Sequence, residues 1–244
     1  MANERQPDEG IAKLSRDRVY TRQDIRQTVT SEMGEMSDAA FAKTLKRLLQ
    51  DQRLFKVDRN RYSTVSPKTL SIYRPGYSRR ARALTQVLQN KFGSLDFVTS
   101  ESILLNEFLG RPIVDNTLFL QVERVRNLDV YEYLKKTYVG RVLYRPTFPE
   151  YFKEWEKDCI VIVDLVTQAP RNEARPHEMP IEKLLVDIVC DRPMAASFDA
   201  RETPSIYQKA FETYRVRRGK VMRYAARRGK KEVLREYLEQ AGIS

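Results

Sequence analysis

The chain has 244 residues, 41% of them hydrophobic, with 44 Lys+Arg against 33 Asp+Glu and a formal net charge of +11. That is enough apolar material for a buried core, but no run approaches the roughly 20 residues a membrane span needs. Two cysteines, Cys159 and Cys190, and the single His177 exclude a disulfide framework and a Cys/His zinc site.

The opening segment, Met1–Gly10, is polar and mixed in charge, unlike a secretory signal or transit peptide, so cytoplasmic residence is expected. The charge is uneven. Residues 1–70 carry net +4, 71–100 another +4, 101–200 net −4 and 201–244 net +7. Two basic regions flanking an acidic middle suit a chain with more than one kind of partner.

Ile11–Leu14 offers a short first helix whose start reaches back into Glu4–Gly10, before the charged run Ser15–Arg18. Thr21 is an N-cap ahead of Ile25 and Val29, one turn apart on a short amphipathic helix. A turn is expected over Ser31–Met36. Ser37 or Asp38 then caps a helix over Ala39–Gln52, where Phe41, Leu45, Leu48 and Leu49 repeat at helical spacing. Lys43, Lys46 and Arg47 fall on its other side. Two short strands, Leu54–Val57 and Tyr62–Val65, form a hairpin with Asn60 near its tip.

Helix, turn, helix and basic hairpin is the order of a winged helix–turn–helix. In such a unit the second helix presents its N-terminal side chains to base edges in the major groove. Here those are Ser37, Asp38, Ala39 and Lys43, with Arg47 one turn further on. Arg59, Asn60 and Arg61 would reach flanking phosphates or the minor groove, and Thr21 and Arg22 would meet a phosphate at a helix N-terminus. The other reading is a helical pair and hairpin that binds protein, with its charges solvated.

Beyond Ser66-Pro67, Ile72–Tyr77 reads as a strand end and turn. Arg79, Arg80 and Arg82 open a helix through Lys91, with Leu84, Val87 and Leu88 on one face and Gly93 at its end. Ser100 is expected to cap a helix over Ser100–Phe108. Strands at Thr117–Glu123, Arg141–Tyr144 and Ile160–Val163 then alternate with helices at Leu128–Lys136, Glu150–Lys157 and Ile181–Cys190. That alternation argues an α/β domain. Strand order is not readable.

Catalytic and cofactor motifs are absent. No Asp-x-Asp follows Gly93-Ser94, as a metal-dependent nucleotidyltransferase requires, and no phosphate-binding glycine loop or nucleophile elbow occurs. No cofactor or metal site is expected. His177 reads as a surface histidine in a proline-rich loop, and both cysteines as core thiols. Tyr144, Phe148, Tyr151, Phe152 and Trp155 read as core or interface aromatics; a base-stacking platform is the alternative.

Helices over Pro204–Tyr214, Val221–Arg228 and Lys230–Gln240 close the chain. Their cations form a second basic surface: Arg217, Arg218, Lys220 and Arg223, continued by Arg227, Arg228 and Lys230. Like charges at that density repel, so an acidic partner or nucleic acid would relieve them. A solvated face is the plain alternative.

Val19–Ile25 through Tyr62, the strand and proline-containing loop leading to Pro180–Asp187, and Met222–Gly229 together resemble the AbiEi-type antitoxins. These belong to the winged-helix transcriptional regulators of bacterial abortive-infection (type IV toxin–antitoxin) systems. The resemblance implies a non-enzymatic protein that binds repeats in its own promoter and neutralises a nucleotidyltransferase-like toxin.

The expected architecture is therefore an α/β (α+β) chain. It has a winged helix–turn–helix over 1–68, a mixed α/β domain over 69–200, and basic helices over 201–244 packed on that domain. Two competing readings stay open: a divergent metal-dependent nuclease or nucleotidyltransferase using Asp164, Glu182 and Asp187, and a protein-interaction scaffold.

Overall fold

The computed structural model describes residues 11, 12, 14, 18–66 and 70–243. It is a mixed α+β fold with two small sheets. The expected first helix lies largely outside the described residues. Ile11 and Ala12 are helical, and Ile11 is buried with the N-terminal core.

The N-terminal unit runs β1 (Val19–Thr21), α1 (Arg22–Met33), α2 (Asp38–Gln50), β2 (Phe55–Asp58) and β3 (Arg61–Ser63). Its sheet is antiparallel in the order β1-β3-β2. Sequence patterning misses β1, because three residues are too few to show alternation; pairing with β3 makes it a strand. Thr21 caps α1 through a capping box with Asp24, and Ser37 caps α2. The first helix runs on to Met33, so the turn is tighter than expected, through Gly34 at φ 82°. Ile25, Val29, Phe41, Leu45, Leu48, Leu54 and Tyr62 form a core of their own.

The second sheet has the order β4 (Phe97–Glu101), β5 (Leu118–Val122), β7 (Ile160–Asp164), β6 (Val142–Tyr144). Its β4 is antiparallel to β5, and the remaining pairs are parallel. The central strands are buried on both faces, which explains their continuous apolar runs. Each fully buried side chain of that kind contributes about 1.5–3 kcal/mol. One face is covered by α3 (Arg79–Phe92) and α4 (Asn127–Thr137). Against the other pack α6 (Ile181–Cys190), α8 (Thr203–Thr213), α9 (Arg218–Arg227) and α10 (Lys231–Gln240), in one core running from Tyr73 to Leu238.

The expected helix over Ser100–Phe108 is not formed. Ser100 and Glu101 belong to β4, where they pair with Phe119 and Leu118, and only a 3-10 turn over Ser102–Leu105 follows. Cross-strand pairing overrides local helical preference here. The Glu101 carboxylate accepts from the Ser78 backbone amide and from Asn116 Nδ2 at 2.5 and 2.7 Å, tying β4 to the start of α3. The short helix α5 (Phe148–Glu154) starts earlier than expected, because Thr147 and Glu150 form a capping box. Ile72–Tyr77 is not a strand; Ser71 makes an isolated bridge to Tyr214. The short helix after Asp191 is α7 (Arg192–Ala195). Among the described residues no helix is long and apolar enough to cross a membrane.

Candidate nucleic-acid interface

α2 buries Phe41, Leu45 and Leu48 and leaves Ala39, Ala42, Lys43, Lys46 and Arg47 exposed. Its amphipathic period thus yields a cationic face with small residues near the N-terminal end, where a helix can approach a surface closely. Ser37 Oγ accepts from the Ala40 backbone amide at 3.2 Å, so its hydroxyl oxygen is engaged in capping. Asp38 is exposed and ion-paired with Arg26 of α1, which also donates to the Met36 carbonyl at 3.2 Å. That pair braces the turn between α1 and α2.

Arg22 and Arg26 lie one helical turn apart and hold their guanidinium groups 5.4 and 5.7 Å from the centre of the Phe41 ring. Arg26 is not among the contact residues expected from the sequence. Its spacing from Arg22 was the available signal, but the ring beneath it comes from another helix. Thr21 is occupied in its capping box: its hydroxyl donates to Asp24 at 2.8 Å and accepts from the Asp24 amide at 3.2 Å. The Asp24 carboxylate therefore already sits at the α1 N-terminus, where a phosphate was expected.

At the hairpin tip, Arg59 and Asn60 are exposed, and Asn60 takes the left-handed conformation at φ 59° that a tight turn requires. Arg61 is placed differently from Arg59. It is half-buried, and burial together with the charge of Arg218 pulls its guanidinium down to about 10. It faces the joint with the C-terminal helices instead of the tip.

The C-terminal cations divide in the same way. Arg217, Arg223, Arg227 and Lys230 are exposed, while Arg218 and Lys220 are half-buried. Arg227 donates to Gln168 Oε1 at 3.0 Å and to Thr167 Oγ1 at 2.5 Å. Arg228 turns inward and pairs with Asp187 at 3.0 Å and with Asp191. It joins a buried network in which Asp187 accepts from Lys183 Nζ at 2.6 Å, Gln121 Nε2 at 2.8 Å and Tyr224 Oη at 2.9 Å. Lys183 and Asp187 are 0% exposed, which is sustainable because each has charged and hydrogen-bonding partners. The basic stretch of the tail is therefore not a single surface: part of it is an internal clamp between α6 and α9.

The carboxylates of the enzymatic reading are engaged separately. Asp164 accepts from Asn127 Nδ2 at 2.5 Å and pairs with Arg145 at 3.2 Å. Glu182 accepts from the Arg217 amide at 3.3 Å, and Asp187 lies in the buried network. Among the described residues no cluster of His, Cys, Asp and Glu could hold a metal ion. His177 stacks on Phe97 with ring centres 4.0 Å apart, its Nδ1 3.1 Å from the Phe97 carbonyl oxygen. Cys159 is buried and Cys190 half-buried; burial pushes the Cys190 thiol up to about 11. Trp155 packs at the core edge and donates to Thr117 Oγ1 at 2.7 Å.

A family model of unknown function, DUF6577, matches residues 40–244. The chain belongs to the DUF6577 family. The match starts inside α2 and takes in the hairpin, the second sheet and the C-terminal helices. No curated protein matches. Among solved structures, the crystal structure of the RV2827C protein from Mycobacterium tuberculosis is similar at 14% identity and a TM-score of 0.39, covering 99% of this chain and 80% of that one.

Proposed function

We propose that this DUF6577 chain is a cytoplasmic DNA-binding transcriptional regulator whose N-terminal unit docks on duplex DNA as a winged helix–turn–helix. We further propose that it is the antitoxin of a type IV toxin–antitoxin pair, repressing its own promoter and countering a nucleotidyltransferase-like toxin. The observation that carries the DNA-binding reading is the exposed face of α2, with Lys43, Lys46 and Arg47 beside Ala39 and Ala42. A helix of this kind enters the major groove, and flanking arginines hold its register on phosphates. Arg22 and Arg59 are exposed on neighbouring elements and suit that second task. The antitoxin reading draws its support from the sequence resemblance.

The test is a salt-titrated gel-shift assay on the DNA upstream of the gene, with Lys43→Ala, Arg47→Ala and Arg59→Ala combined. Affinity should fall and the slope of log affinity against log salt should flatten by about one for each phosphate contact removed. Unchanged affinity in the triple variant would sink the DNA-binding reading. Co-expression with the adjacent reading frame tests the other half: rescue from that product's toxicity is the expected result, and continued growth arrest overturns it.

A further inference from the structure

Between the hairpin sheet and the C-terminal helices lies an open cavity of about 890 Å³. That is within the range of small-molecule sites, roughly 300–1,000 Å³. Its walls come from both parts of the chain. Leu54, Phe55 and Val65 line it from the N-terminal unit, and Phe211 of α8 with Val216 and Ile243 from the C-terminal part of the chain.

The polar groups in it are unevenly matched. Among the described residues, six cationic side chains line the cavity against two carboxylates, Asp58 and Glu212. Both carboxylates are already engaged. Asp58 accepts from the Gly219 and Arg59 backbone amides at 2.8 and 2.7 Å, and Glu212 accepts from Gln208 Nε2 at 2.8 Å. The guanidinium groups of Arg61 and Arg218 line the same partly apolar space, where Asp58 is a negative charge that acts on both. Arg218 Nε is buried and has no hydrogen-bond partner. Among the described residues, neither side chain forms an ion pair within 4 Å. A buried donor left unmatched is costly, so such a group is a place to look for a ligand.

We infer that this cavity binds a small amphipathic anion, its carboxylate, sulfonate or phosphate head held by Arg61 and Arg218 and its apolar body seated against Phe55, Phe211 and Ile243. Guanidinium groups match such heads in shape and charge and can bind them through paired N–H donors. Burial and the charge of Arg218 hold Arg61 below its usual range, a destabilisation that an anion between the two would relieve. Because the walls belong to β2, α8 and the stretch leading into α9, an occupant would also fasten the N-terminal unit to the rest of the chain. The inference is independent of what α2 binds.

Anilinonaphthalene sulfonate, an apolar fluorophore with one anionic group, is a direct probe. Titrated into the full folded chain, it should show saturable fluorescence enhancement with one site per chain. Arg61→Gln and Arg218→Gln should each weaken binding by about tenfold or more, the size of a lost charge-assisted contact. The uncharged analogue N-phenylnaphthylamine should also bind more weakly, and Arg124→Gln, at an exposed position away from the cavity, should bind like the parent. If an arginine variant loses its cooperative melt, Ile243→Trp decides, because the indole takes the apolar seat beside Phe55 and Phe211 while both cations are kept. Saturable binding lost in Ile243→Trp supports the site. Enhancement that is absent, does not saturate, or survives Ile243→Trp overturns it.

Discussion

The Asp58 carboxylate on the hairpin accepts a hydrogen bond from the Gly219 backbone amide, in the first turn of α9, at 2.8 Å. Residues 161 positions apart thus form an N-cap across the joint between the two parts of the chain. No side chain of α9's own N-cap residue, Arg217, does this work. A Cβ at position 219 would stand 2.7 Å from the Asp58 oxygen, closer than real contacts allow. Any larger residue at 219 therefore forces the carboxylate to move.

Asp58→Ala should destabilise the chain by about 1 kcal/mol, the usual cost of losing a cap. Gly219→Ala should cost a similar amount, because the carboxylate must swing away and lose the same bond. The double variant should be little worse than Asp58→Ala alone, since the Asp58–Gly219 bond is common to both. Denaturant unfolding of the three variants checks this; additive losses would mean that Asp58 and Gly219 act independently.

Lys183 and Asp187 form a fully buried ion pair one helical turn apart. Lys183→Met should destabilise by about 3–5 kcal/mol, because it leaves Asp187 short of a positive partner in the interior. Pairing it with Asp187→Leu should cost less than the sum of the two singles. The cycle is read from unfolding midpoints at constant slope.

Asp191 gives the network a pH dependence. Burial and the neighbouring Asp187 push its carboxyl up to about 6, against the pull of Arg228. Its folded pKa lies above the unfolded one, so between those values the folded state holds the extra proton. The cost of ionising Asp191 is present above about pH 6 and is relieved as the pH falls towards about 4. The stability of the parent relative to Asp191→Asn should therefore rise on going from about pH 7 to about pH 5. A difference that stays level or shrinks on acidification would contradict the assignment.

Asp38 places a negative charge at the N-terminal end of α2 and engages Arg26. Under the proposed function, Asp38→Ala releases Arg26 to a phosphate and removes a repulsive charge. Affinity for non-specific duplex should rise, with a salt slope steeper by about one. Weaker non-specific binding would show that the Arg26–Asp38 brace matters more for shape than for charge.

Local signals made much of the fold legible. The 3.6-residue periods of α2, α3 and α6, the caps at Thr21 and Ser37, and the turn at Asn60 all depend on residues within a few positions of one another. Ser100 and Glu101 read as helix in the sequence because the partner that makes them a strand, Leu118–Phe119, lies far along the chain. The three residues of β1 are too few to show alternation, and the strand that pairs with them, β3, also lies further along the chain.

For the candidate site, the sequence by itself determined where the cations are and which helix face carries Lys43 and Arg47. Only the tertiary structure decided which of those cations are free. Arg59 and Arg61 are two residues apart, yet one is exposed at the hairpin tip and the other half-buried beside Arg218. Arg227 and Arg228 are adjacent, yet one lies on the surface and the other closes on Asp187 and Asp191. Formal charge is a property of the residue, but the charge available to a partner depends on solvation and on counter-charges brought in from distant parts of the chain.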